Sequence, residues 1–315
     1  MKRNSALLVI CFVALVAVLS FVQPTTAHAD MGPKPSINIT LKNLDAVCYG
    51  TLLSQHKSTG PYSAYDPEEG FDYKDFGAVD SNYYFDENYH NEEVERIWQI
   101  FADYNDSDEY FFLQRWWKLG GESNQLVWSY YPPYSFKLLL YYPDSNTFVI
   151  SKIYERYAFD SYYTVDMSNI NDILLNPDLS NGEQLELKQS YNYTWEIISL
   201  LCRIILTIAI EMAVAFLFRI KGRKALTTIL VTNAVTQIAL NVALNLLCYF
   251  DGWMMMIFLY LPLELGVLFV EAVTYSIVLR KQGVPIWKAL LYALVANVVS
   301  GGLGFVLAMY IPGLF

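Results

Sequence analysis

From residue 195 onward the chain is almost continuously apolar, interrupted at regular intervals by short polar stretches. Four apolar runs result, at about 195–218, 226–247, 256–279 and 288–311. Each is long enough to cross a bilayer as a helix, for which roughly 20 residues suffice. The pattern predicts an all-α four-helix transmembrane bundle over 195–315. Residues 30–194 carry a different rhythm. "INITL", "AVCYGTLL", "LVWSYY", "FKLLLYY" and "FVISKIY" are rich in β-branched and aromatic residues and predict strands. "YYPDSNTF" reads as a hairpin turn between the fourth and fifth of these. "NEEVERIWQIFADY" has helical spacing instead: Asn91 caps it, Glu92 and Glu93 suit its N-terminus, and Val94, Ile97, Trp98 and Phe101 form one apolar face. The expectation is an antiparallel, β-rich α+β domain with one helix.

Residues 1–29 read as a cleaved secretory signal peptide. Lys2 and Arg3 precede an apolar run from Ala6 to Val22, and Ala27 and Ala29 supply the small residues for cleavage after Ala29. The competing reading is an uncleaved anchor helix. A cleaved signal places residues 30–194 outside the cytoplasm. The first and third spans then run inward and meet "RIKGRK" and "RKQGVPIWK", as the positive-inside tendency requires, and the C-terminus falls outside. Tyr193, Trp195, Tyr249, Trp253 and Tyr310 mark the outer ends as an interfacial aromatic belt.

Charge sharpens the division. Residues 30–194 hold 26 acidic and 11 basic residues, whereas 195–315 hold 5 acidic and 8 basic. The acidic segment would repel phosphate, which argues against a nucleic-acid partner. Of the 4 cysteines, Cys11 leaves with the signal and Cys48 is alone in the exported segment, so no disulfide framework is available. That usage suits a bacterial plasma-membrane protein, with Cys48 a buried strand residue.

The polar residues inside the spans carry the candidate chemistry. Asn233, Gln237, Asn241 and Asn245 recur every fourth residue, drifting only about 40° per step, and so form one stripe. "KALTTILVTNAVT" (224–236) also aligns with "KALLYALVANVVS" (288–300), matching Asn233 to Asn297, with Glu211 and Glu271 in the preceding helices. This register reads as two parallel two-helix repeats. A rise of about 1.5 Å per residue sets Glu211, Glu271, Asn233 and Asn297 at one depth, roughly 18–24 Å from the outer surface. Arg203 and Glu264, with Gln237 and Asn241 near them, form a layer at about 12 Å. Charges in hydrocarbon turn inward and seek partners, so Arg203 is expected to pair with Glu264. Glu211 and Glu271 face each other with no second cation, so one holds a proton or both share a small cation. The plainer reading makes these groups interhelical glue, and "SGGLG" (300–304) a close-packing surface.

The stretch 65–93 alternates tyrosines with carboxylates. Asp66, Glu68, Glu69, Asp72, Asp75, Tyr83 and Tyr84 form either an outer recognition loop or a solvated acidic one. "DYNDSDE" lacks the central Gly and terminal Glu of a calcium loop. Beyond the signal only His56 and His90 occur, without hydrolase or zinc motifs, so the only enzyme reading left is a carboxylate-based intramembrane hydrolase. No cofactor is expected beyond a small cation. Translocation or sensing of a proton, cation or polar solute leads, ahead of an envelope binding or assembly protein anchored by its bundle. Four helices are few for a complete pathway, so a homo-oligomer or partner membrane subunit is expected in the lipid bilayer.

Overall fold

A computed structural model describes residues 32–59, 62–64, 92–121, 123–170, 174 and 183–310, with the backbone alone at 62, 183, 184 and 305–310. The expected signal peptide, the acidic loop with Asp66 through Tyr84, and the cap Asn91 lie outside these residues. The chain divides into two units between Tyr191 and Asn192.

The first unit contains strands β1 (Ser36–Lys42), β2 (Cys48–Ser54), β3 (Ser58–Thr59) and β4 (Tyr62–Ser63) before helix α1 (Glu92–Ala102). After it come β5 (Phe111–Phe112), β6 (Trp117–Leu119), β7 (Gln125–Trp128), β8 (Ser135–Tyr142) and β9 (Thr147–Ser151). The series ends with β10 (Tyr154–Glu155), β11 (Asp160–Asp166), β12 (Glu183–Leu185) and β13 (Leu187–Gln189). One sheet runs β13-β11-β1-β7; the other runs β12-β9-β8-β2-β5, with β10 beside β8 and β6 beside β2.

Alternation explains how the sheets stack. Ile37, Ile39 and Leu41 of β1, with Tyr163 and Val165 of β11, meet Leu52, Phe136, Leu138 and Leu140 of the second sheet. On the far face of that second sheet, Tyr49, Leu53, Leu139 and Tyr141 receive Ile97, Trp98 and Phe101 of α1. Both faces of β8 are therefore covered, which is why "FKLLLYY" reads as a continuous apolar run. The Tyr49 hydroxyl donates to Glu93, and Lys118 reaches the same carboxylate at 2.9 Å, fastening α1 to the sheet. These two partners, Tyr49 first, hold Glu93 below the usual carboxylate range. Cys48 is fully buried on β2, and burial pushes its thiol up to about 12.

Pairing is not wholly antiparallel as expected: β1 runs parallel to β11, and β12 parallel to β9. Both pairs are far apart in sequence, and long connections permit the parallel sense that hairpins forbid.

Lys137 is the polar exception in the sandwich. Its side chain is 2% exposed, yet its ammonium lies 3.0 Å from Asp106 and 2.5 Å from Asp108. Asp106 also accepts the backbone N–H groups of Asp108 and Tyr110. The oxygens of "DYNDSDE" thus serve a lysine. Burial alone would lower the Lys137 ammonium, but the hydrogen bonds to Asp108 and Asp106 outweigh it and hold it above the ordinary value.

The second unit contains α2 (Tyr193–Leu217), α3 (Arg223–Asp251), α4 (Trp253–Val278) and α5 (Ile286–Tyr310). Among the described residues, these are the four helices long and apolar enough to cross a membrane. Contacts fix their sense: Tyr193 meets Tyr249 and Arg203 meets Asn245, while Asn233 meets Tyr275 and Thr236 meets Glu271. Partner numbers fall as residue numbers rise, so consecutive helices are antiparallel. The helices close a ring in which α5 packs back on α2. A single residue, Gly252 with φ 86°, joins α3 to α4; the left-handed backbone there suits glycine. The basic connections after α2 and α4 share one end of the bundle. Ile205, Leu217 and Phe258 are more than half exposed on its outside, as a lipid-facing surface requires.

Residues 33–191 alone should fold as a soluble, strand-rich unit without an oxidant. In that unit Lys137→Met, which leaves Asp106 buried and unpaired, should cost about 3–5 kcal/mol by urea denaturation. Because the Lys137 value is raised on folding, its contribution is complete below 10.5, the ordinary lysine value, and is lost as pH rises through the higher folded value. The gap between wild type and Lys137→Met should be constant at neutral pH and shrink in strong alkali. Disorder of the isolated unit by circular dichroism, or an unchanged urea midpoint in the variant, would contradict this account.

Candidate functional site

Two polar layers lie inside the ring. The deeper one takes Glu211 from α2, Asn233 and Thr236 from α3, Glu271 and Tyr275 from α4, and Tyr292 and Asn297 from α5. Helical spacing builds it: Asn233 and Thr236 are three residues apart and Glu271 and Tyr275 four, so each pair shares a face. Glu211, Asn233, Glu271, Tyr275 and Tyr292 are all 0% exposed.

The two carboxylates are treated differently. Thr236 Oγ1 donates to Glu271 Oε1 at 2.7 Å, and Asn297 Nδ2 donates to Glu271 Oε2 at 2.7 Å. Asn297 Nδ2 also reaches the Ala293 carbonyl at 3.0 Å, which fixes its amide. The Tyr275 hydroxyl donates to Asn233 Oδ1 at 3.0 Å, and the Tyr292 hydroxyl to the backbone carbonyl of Glu211 at 3.2 Å. Neither carboxyl oxygen of Glu211 has a hydrogen-bond partner. Asn233 and Ser300 are the polar side chains that approach it, without closing a bond of normal geometry. Asn297 Oδ1 is also unpartnered, against one unpartnered donor in the layer, Asn233 Nδ2. Among the described residues the layer has more unpartnered acceptors than donors.

On the side of the basic connections the layer is capped by apolar packing. Tyr275 and Tyr292 lie 5.4 Å apart, ring to ring, among Ala215, Ala225, Ile229 and Ala289. On the other side all four helices line a cavity of about 370 Å³. Its polar lining comes from Arg203, Thr207, Gln237, Asn241, Tyr260 and Glu264, with Ser300 between the cavity and Glu211.

The sequence-predicted residues therefore fall into two groups. Glu211, Asn233, Glu271 and Asn297 share the deep layer; Arg203, Glu264, Gln237 and Asn241 line the cavity. The expected Arg203–Glu264 ion pair does not form. Arg203 Nη2 instead donates to Asn245 Oδ1 at 3.1 Å, because that amide sits on the helix packed directly against α2. Glu264 interacts with Tyr260, one turn earlier on its own helix. The amide stripe does face the interior, but Asn241 Nδ2 bonds Gln237 of its own helix at 2.9 Å, so that rung joins no helices. Nor is "SGGLG" a close-packing surface: a Cβ at Gly301, Gly302 or Gly304 would meet nothing within 4 Å, and Gly301 and Gly304 line the cavity.

Thr236, Tyr275 and Tyr292 were not legible as site residues. Thr236 and Tyr275 could have been found one turn from Asn233 and Glu271; Tyr292 shows only as a hydroxyl in an apolar run. No family model, curated protein or solved structure matches the chain.

Thr236→Val and Asn297→Leu each remove an interhelical donor from Glu271 and should cost about 0.6–1.7 kcal/mol, the range for hydrogen bonds between membrane helices. Asn241→Leu, whose amide bonds only its own helix, should cost less than either. Reversible unfolding of the purified protein in mixed micelles tests this order; equal losses for all three would contradict it.

Proposed function

We propose that the bundle binds and releases a proton or small cation at Glu211 and Glu271, and thereby translocates or senses it. The observation that carries this reading is the donor deficit of the deep layer: Glu211 Oε1 and Oε2 and Asn297 Oδ1 are buried without partners. A bundle built only for cohesion would have placed donors there, since an unsatisfied acceptor in hydrocarbon is costly. Glu271, held by Thr236 and Asn297, is the fixed partner; Glu211 is the exchanging group. The cavity gives access from one side, and the Tyr275–Tyr292 packing closes the other, so exchange needs that packing to open. In this reading the protein sits in a bacterial plasma membrane after removal of its signal. The cavity then faces outward with the acidic domain, and the basic connections face inward. A second copy or a membrane partner completes the pathway.

Two measurements test this. Glu211→Gln and Glu271→Gln should express at wild-type levels. Reconstituted into liposomes with a trapped dye selective for the ion imposed, wild type should dissipate a proton, sodium or potassium gradient, and Glu211→Gln should fall to the level of protein-free liposomes. If the double variant matches wild type for all three ions, or if wild type itself carries none of them, the layer is structural. For orientation, a reporter fused after Phe315 should be active outside the cytoplasm and one inserted near Gly222 inside it. The reverse pattern at either point would turn the cavity inward.

A further inference from the structure

Arg203 and Glu264 line one cavity, on α2 and α4, and no ion pair joins them. Opposite charges among apolar walls attract strongly, so keeping both on one cavity without a direct pair is costly unless other groups answer them; Tyr260, in the same lining, interacts with Glu264 but brings no charge to either. Arg203 spends Nη2 on Asn245, but its Nε is buried without a partner. An anion alone would answer Arg203 and be repelled by Glu264; a cation alone would do the reverse. Leu206, Leu240, Leu244 and Met256 make much of the remaining wall. The volume of about 370 Å³ stands at the small end of ligand pockets. Gly301 and Gly304 line the space without side chains, and a Cβ at either would meet nothing within 4 Å.

We infer that this cavity binds a zwitterion with an apolar body, its anionic group on Arg203 and its ammonium on Glu264. The inference rests on the reading of the bundle as a solute-handling site, but on residues other than the Glu211–Glu271 layer. The shared chemistry, an anion beside a primary ammonium, comes either from a free amino acid or from a phosphatidylethanolamine headgroup.

The test uses the full-length protein in phosphatidylglycerol nanodiscs, with L-leucine as probe and thermal stability as readout. Isoamylamine and 4-methylpentanoate keep the leucine skeleton but lack one charge each. Leucine should raise the melting temperature and neither analogue should do so at equal concentration. The shift should vanish in Glu264→Gln and in Gly301→Leu; the second fills the cavity at a position where the fold has room. A parallel set of discs containing phosphatidylethanolamine, without leucine, tests the headgroup. Stabilisation there that Gly301→Leu abolishes would assign the site to the lipid and support the inference equally. No shift from leucine or from the headgroup, or a shift that a singly charged analogue reproduces or that survives both substitutions, would overturn it. Leucine binding with no ion flux would remove the proton or cation reading alone. Flux without binding would remove this inference alone.

Discussion

Hydrocarbon offers no hydrogen bonds, so a polar group carried into it must find its partner inside the protein. The arrangement of the bundle follows from that constraint. Glu211, Glu271, Asn233 and Asn297 could not face lipid, and burying them places them inside the ring of four helices. The same constraint makes the unanswered groups informative. Glu271 is answered twice, Asn233 once, and Glu211 not at all at its carboxyl. Cohesion explains the first two, and the proposed exchange of a proton or cation rests on the third.

The segments expected to be repeats align in sequence at a few polar positions and differ at others. Asn233 aligns with Asn297 and Thr236 with Ser300, and each half brings one glutamate. Yet both tyrosines of the cap, Tyr275 and Tyr292, come from the second half, where the first has Ala215 and Thr228 at the aligned positions. Arg203 and Glu264 have apolar counterparts as well. Both carboxylates lie in one buried layer, which the two tyrosines close on one side and the cavity-lining residues open on the other.

What the sequence made legible was whatever depends on periodicity. The four apolar runs, helix α1 with its face of Ile97, Trp98 and Phe101, and strands β1, β2, β7, β8 and β9 all appear where local pattern places them. β11, with Ser161, Tyr163 and Val165 turned inward, escaped notice because small and hydroxylated residues blur its alternation. Partner choice was less accessible. That Lys137 goes to Asp106 and Asp108, or that Arg203 prefers Asn245 to Glu264, depends on which helix or strand lies alongside. The glycines of "SGGLG" misled for a related reason: a missing side chain admits a neighbouring helix or empty space equally, and only the packing decides.

The one-residue link at Gly252 bears on how such a polar bundle could enter a membrane during synthesis. Inserted alone, α3 would expose Asn233, Thr236, Gln237 and Asn241 to lipid with no groups to meet them. α4 follows after a single glycine, bringing Tyr275 to Asn233 and Glu271 to Thr236. α3 and α4 therefore form a helical hairpin that satisfies much of its own polarity without α5. Only the second oxygen of Glu271 depends on α5, through Asn297.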